Sequence, residues 1–240
     1  MTGAQSRLHA RSAMNGPVKL ISLLRPDRAV EAWKDFVAAQ AKASLRGLQR
    51  LVFNEVLPIN VRTGTPDQPT FAAVVEAWFA DKSGADALAA RIRAQGDAVQ
   101  LSVDALLIHD RGSRPLPHKI MVTLKGLAHL SRQQVQAHWR GRHVEIGMVE
   151  HNAGDFLQLY YQNHVIATDQ PPGSATDYDG MPEFWVDPAD LALIGQDAPV
   201  MRAIAEDEAL FADKAAITTM MVTEHELFVA PGMPGGWPVG

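Results

Sequence analysis

The sequence predicts an α+β protein of two tandem ferredoxin-like repeats (βαββαβ), packed sheet to sheet as a pseudo-dimeric α+β barrel within one chain. Three observations carry this reading. The chain repeats itself, strand-like and helix-like runs follow the same order in both halves, and strands of the first half are apolar where a one-sided sheet should be wet.

The elements align pair by pair. VKLISLLR (18–25) lies over HKIMVTLK (118–125), both strands with Lys in second place. A helical segment holding Trp33 or Trp139 follows each. LQRLVFNEV (48–56) then lies over LQLYYQNHV (157–165) without a gap. Polar, Pro-containing loops end near Thr70 and Asp177. VEAWFAD (75–81) matches PEFWVDP (182–188), sharing Glu-x-Trp. After a further helical stretch each half closes on a strand, VQLSVDALLIH (99–109) or AITTMMVTEHELFV (216–229). The expected layout is a leader at 1–16, the first, degenerate repeat at 17–110, a linker at 111–117, the second repeat at 118–230 and a flexible tail at 231–240.

Composition narrows the function. A net charge of −5 with scattered arginines gives no footprint for nucleic acid. The absence of cysteine removes disulfides, thiolate metal sites and a Cys nucleophile, and suits a cytoplasmic protein. No apolar run reaches membrane-spanning length, and the first sixteen residues have no hydrophobic signal core.

The strand FLQLYYQNHV, 156–165, raises the functional question. Leu157, Leu159 and Tyr161 form one face; Gln158, Tyr160, Gln162 and His164 form the other. The first repeat has Leu51, Phe53 and Glu55 where the second has Tyr160, Gln162 and His164. That asymmetry predicts that the polar face lines a pocket between the two sheets. On the preceding helix, Ser131 and Gln134 form a capping box, and Val135, Trp139, Ile146 and Val149 share the core face. His143 flanks that stripe. Metal binding is not expected: His138 and His143, five apart on an α-helix, diverge by about 140°.

HWRGRHVEIG (138–147), DYDGMPEFW (177–185) and EDEALFAD (206–213) together resemble the EthD family of the dimeric α+β barrel superfamily. The resemblance covers about 110 residues closely; the first half looks like a diverged copy that keeps Glu76 and Trp78 but has Val37 in place of His143. It implies a small cyclic or aromatic substrate, with relatives that range over decarboxylases, dehydratases, isomerases, cofactor-free monooxygenases and haem enzymes. The resulting expectation is a cofactor-free lyase or isomerase. His143 moves a proton, while Tyr160 and His164 stabilise the developing anion. Trp139, Gln158, Gln162, Asp177, Glu183 and Trp185 are the expected substrate contacts, although Glu76 at the place of Glu183 favours a symmetric structural role there. A non-catalytic carrier of the same fold and a haem-dependent oxidase are the rivals. Two tandem chains could still pair as a homodimer.

Overall fold

Val18–Leu24 forms β1, whose side chains after Val18 are all buried, as befits a strand covered on both faces. The computed structural model describes residues 17–43, 45–61, 63–112, 118–187 and 198–231. After β1 come α1 (Val30–Lys42), β2 (Leu48–Val56), β3 (Ala73–Phe79), α2 (Lys82–Arg93) and β4 (Ala98–Asp110). The second half supplies β5 (His118–Val122), α3 (Arg132–His138), β6 (Leu157–Thr168), β7 (Gly180–Val186), α4 (Pro199–Glu208) and β8 (Thr219–Val229). The expected leader, residues 113–117 of the linker and the tail from 232 lie outside the described residues.

The strands close into one antiparallel barrel in the order β1-β3-β2-β8-β5-β7-β6-β4. Each half contributes the same internal order, β4-β1-β3-β2 and β8-β5-β7-β6. The halves are stitched edge to edge by two long ladders, β2 to β8 and β4 to β6. The registers repeat as well: Lys19 lies opposite Trp78 and Ile21 opposite Glu76, as Lys119 lies opposite Trp185 and Met121 opposite Glu183.

Which face is which differs from the expectation. Leu51 and Phe53 do not look across to the other sheet; they point outward, into the core that Trp33 and Val37 of α1 and Leu88 and Ile92 of α2 build. By the same alternation Tyr160, Gln162 and His164 point outward, towards α3. The expected pocket between the sheets is therefore corrected to a polar layer between sheet and helix. Period-two alternation says which residues share a face, but not which face meets the helices.

The barrel interior holds layers of different character. Ile21, Leu23, Val74, Val99, Leu101, Met121, Val165, Met181 and Met220 pack with Phe71 and Tyr178 towards one mouth. Beneath them lies a fully buried charge cluster from equivalent positions of the two halves. Lys19 Nζ meets Glu76 Oε1 at 2.6 Å and Glu183 Oε1 at 2.7 Å. Lys119 Nζ meets Glu76 and lies 3.3 Å from Glu183 Oε2. Asn54 donates to Glu76 at 2.8 Å, and Asn163 donates to Glu183 at 2.6 Å. Each ammonium also sits over an indole, Lys19 over Trp78 at 4.7 Å and Lys119 over Trp185 at 4.8 Å. Burial alone would raise Glu76, but Lys119 and Lys19 outweigh it and hold its carboxyl far below the ordinary range. Glu183 is pushed up, by burial first and then by the charge on Glu76.

Candidate functional site

The site is organised by the helix that follows Ser131. The capping box forms: Ser131 Oγ accepts from the Gln134 N–H at 3.3 Å, and Gln134 Oε1 accepts from the Ser131 N–H at 2.9 Å. After His138 the helix widens into π-turns over Trp139–His143 and Glu145–Glu150. The last is closed by a bond from the His151 N–H to the Ile146 carbonyl. Asn152, at φ 50°, then turns the chain out of the helix.

Widening changes which side chains share a face. A π-turn repeats every five hydrogen-bonded residues instead of four, so positions i and i+5 come into line. His138 and His143, expected to diverge, converge on one carboxylate. His138 Nε2 lies 2.9 Å from Asp207 Oδ1, and His143 Nδ1 lies 2.8 Å from Asp207 Oδ2. Asp207 comes from α4 and is 4% exposed. Both rings rest on Phe211, at 4.7 and 5.4 Å between centroids. The same shift of phase corrects the expected core stripe. Val135, Trp139 and Ile146 are buried, but Val149 is 71% exposed.

Under the widened helix, β6 presents a hydrogen-bonded row. Gln162 Nε2 donates to Tyr160 Oη at 3.0 Å and to the Trp139 carbonyl at 3.2 Å. Both amide protons of Gln162 are thus committed, so its Oε1, 3.0 Å from His164 Nε2, accepts from that nitrogen. This fixes the His164 tautomer and leaves Nδ1 with the lone pair. Trp139 stacks on His164 with centroids 4.7 Å apart. It also presses on the strand itself, since a Cβ on Gly180 would come within 2.4 Å of the indole. Only glycine fits there.

The electrostatics assign different capacities to these groups. Burial pushes the Tyr160 phenol up to about 12, against the hydrogen bonds from Gln162 and Trp139. It therefore stays protonated at neutral pH, a donor and not a base. Glu208, beside Asp207, also acts on that phenol, so α4 links the β6 row to the two histidines. Burial, then the charge of Arg140, pulls His164 down to about 4. A neutral imidazole of such low basicity is a weak base at pH 7.

A pH experiment follows from that shift. Unfolded, His164 takes a proton near the ordinary histidine value of 6.5; folded, it resists until about 4. The unfolded state binds more protons between these values, so stability falls as pH drops through that window, by about 2 kcal/mol once partial solvent access is allowed for. Thermal unfolding of wild type and His164→Gln between pH 7.5 and 4.5 should show a shallower fall in the variant. Parallel profiles would mean that His164 is not buried neutral.

The remaining expected residues fall in three places. Gln158 is half-buried on the β6 row, and its Oε1 is buried without a hydrogen-bond partner among the described residues. Asp177 is held by Arg132 Nη2 at 2.5 Å and by the Gly173 N–H at 2.8 Å, so it ties the β6–β7 loop to the start of α3. Glu183 and Trp185 lie inside the barrel, on the opposite face of the sheet from Tyr160, and do not share its wall. Asp207 escaped the sequence reading, although it stands within EDEALFAD. Its role depends on the π-turn that brings both histidines to it.

An eight-stranded antiparallel α+β barrel with a polar layer under one half's first helix defines the class. Residues 127–215 match the EthD domain. The fold is similar to that of an anthrone oxidase-like protein, at a TM-score of 0.58 and 4% identity over 89% of this chain and 94% of that one. A proposed monooxygenase of Lactobacillus acidophilus aligns at 0.49 and 10% identity, over 87% and 94%. A mutant chlorite dismutase from Candidatus Nitrospira defluvii aligns at 0.47 and 10%, over 87% and 92%. At 4% identity the likeness to the anthrone oxidase-like protein is one of fold. No curated protein matches the chain. No helix among the described residues is long and apolar enough to cross a membrane.

Proposed function

We propose that this protein is an acid–base enzyme, a cofactor-free lyase or isomerase, acting on a small cyclic or aromatic metabolite at the layer between α3 and β6. The observation that carries the reading is the His143–Asp207 contact at 2.8 Å. A buried carboxylate facing Nδ1 orients the ring, stabilises its protonated form and leaves Nε2 as the base. In the proposed step Nε2 takes a proton from a carbon next to a carbonyl. The electron pair moves onto the carbonyl oxygen, Tyr160 donates its O–H to that oxygen, and the proton is returned at another atom or consumed as a bond to a leaving group breaks. Gln158, with its unpartnered carbonyl oxygen, accepts a hydrogen bond from the ligand. On this reading the halves are tandem ferredoxin-like repeats, of which the second keeps the site. The first has closed its equivalent space with Leu51, Phe53 and Val37.

The test is deuterium exchange of activated C–H bonds, followed by mass spectrometry over a panel of cyclic keto acids and lactones in D2O. Wild type should catalyse exchange or conversion of at least one compound. His143→Gln should lower the rate roughly 100-fold or more, and Tyr160→Phe by about tenfold or more. Full activity in both variants sinks the site; a compound that binds and is never converted or exchanged favours the carrier reading.

One observation favours a haem-dependent reading. A histidine whose Nδ1 faces a buried carboxylate while Nε2 makes no hydrogen bond among the described residues is oriented as a ring that could hold a metal would be. Haem would supply redox chemistry with His143 holding it. A Soret band in the purified protein would decide for this reading against the cofactor-free one.

A further inference from the structure

A second place in the molecule gathers positive charge at an opening of the barrel. At the mouth where β1 and β5 end and β3, β7 and β8 begin, a cleft of about 360 Å3 opens to solvent. Arg25 and Lys125 line it, with the hydroxyl side chains of Thr70, Thr176, Thr218 and Tyr178. We propose that this mouth is a binding site for a small anion, a carboxylate or a phosphate, held between Arg25 and Lys125.

The internal repeat explains why two cations meet here. Arg25 ends VKLISLLR as Lys125 ends HKIMVTLK, so the two are equivalent positions of the halves. Barrel closure brings both to one opening. Phe71 and Tyr178, each five residues before the Glu of its Glu-x-Trp motif, are likewise a pair, and both are buried beneath the mouth in the apolar layer. Arg25 lies over the Phe71 ring at 4.6 Å, which fixes its guanidinium at the rim.

The internal partners of these cations are few and weak. Arg25 faces Asp97 at 3.8 Å, beyond hydrogen-bond distance, and that carboxylate is 74% exposed. Lys125 donates to the Ser174 carbonyl, which is neutral, and keeps two further donors. Asp213 also lines the cleft, but its carboxylate accepts from the Ala215 N–H at 3.1 Å as the cap of a short turn. Ala175, Ala215 and Ala216 complete the wall with small apolar surface that suits the body of an organic acid. A concave site with excess positive charge concentrates anions, and a guanidinium with an ammonium matches the oxygens of a carboxylate or a phosphate. This site lies apart from the α3–β6 layer and rests on no part of the acid–base reading.

Thermal unfolding with 20 mM sodium benzoate or sodium phosphate, each against sodium chloride at equal ionic strength, tests it. The matching anion should raise Tm by about 3 °C, and the two arms distinguish a carboxylate from a phosphate ligand. The rise should disappear in the Arg25→Gln, Lys125→Gln double variant. No rise with either anion, or an equal rise in the double variant, overturns the site. A crystal soaked in bromobenzoate keeps the carboxylate arm independent of any variant. Its bromine signal must appear between Arg25 and Lys125, and a signal elsewhere only would count against the proposal.

Discussion

Lys119→Met should be among the most damaging single substitutions in the barrel, lowering stability in urea by about 3–5 kcal/mol. The ammonium is fully buried and stands against Glu76, Glu183 and, at 3.2 Å, Glu224. Burial opposes its charge, but Glu183 and Glu76 overcome that and raise its basicity. Methionine fills much of the same volume and keeps contact with Trp185, so the loss is electrostatic and not a cavity. Two carboxylates would be left with Lys19 alone, and one must take up a proton or remain charged without its partner. Lys19→Met should behave alike, because the network is doubled. Replacing all four charges together, with Met for both lysines and Leu for both glutamates, should cost much less than the sum of the single variants. A single-variant loss below about 1 kcal/mol would mean that the cluster is not held as ion pairs.

On the proposed acid–base reading, Asp207→Asn should lower catalysis by roughly 100-fold or more while leaving the fold intact. The carboxylate accepts from two imidazoles at once, at 2.9 and 2.8 Å. An asparagine offers one acceptor oxygen and turns an N–H2 towards the other ring. One histidine must then change tautomer or swing away, and the stabilisation of protonated His143 is lost. Two readouts separate this from damage to packing. Nitrogen NMR should show His143 losing its Nδ1-protonated form, and kcat should fall with KM little changed. If neither changes and activity persists, Asp207 merely ties α4 to α3.

The α+β barrel was legible because its strand and helix signals recur in one order along the chain. Trp33 and Trp139, Glu-x-Trp at 76 and 183, and Lys at 19 and 119 recur in one order, and repetition is independent of any propensity scale. The candidate site was legible in part. Tyr160, Gln162 and His164 announced themselves by standing where Leu51, Phe53 and Glu55 stand in the other half. The side of the sheet they occupy was not readable, since alternation is symmetric between faces. The repeated lysines were visible, but a Lys beside apolar neighbours carries no sign that it is buried until a carboxylate from another strand is brought to it. The pairing of His138 with His143 was hidden because a helix read at 3.6 residues per turn separates them. Nothing in HWRGRH marks the wider turn.

Closure of the barrel has a consequence for how this protein meets others. Among the described residues every strand has a neighbour on both sides, but Asp104–Asp110 of β4 and Thr223–Val229 of β8 run past β1 and β5 and are paired on one side only. Association with a second copy by adding a strand is confined to these two overhanging ends; elsewhere it must use helix surfaces, loops and side chains. Crossed pairing between newly made copies, with the first half of one closing on the second half of another, is a hazard only before β2 has found β8 and β4 has found β6.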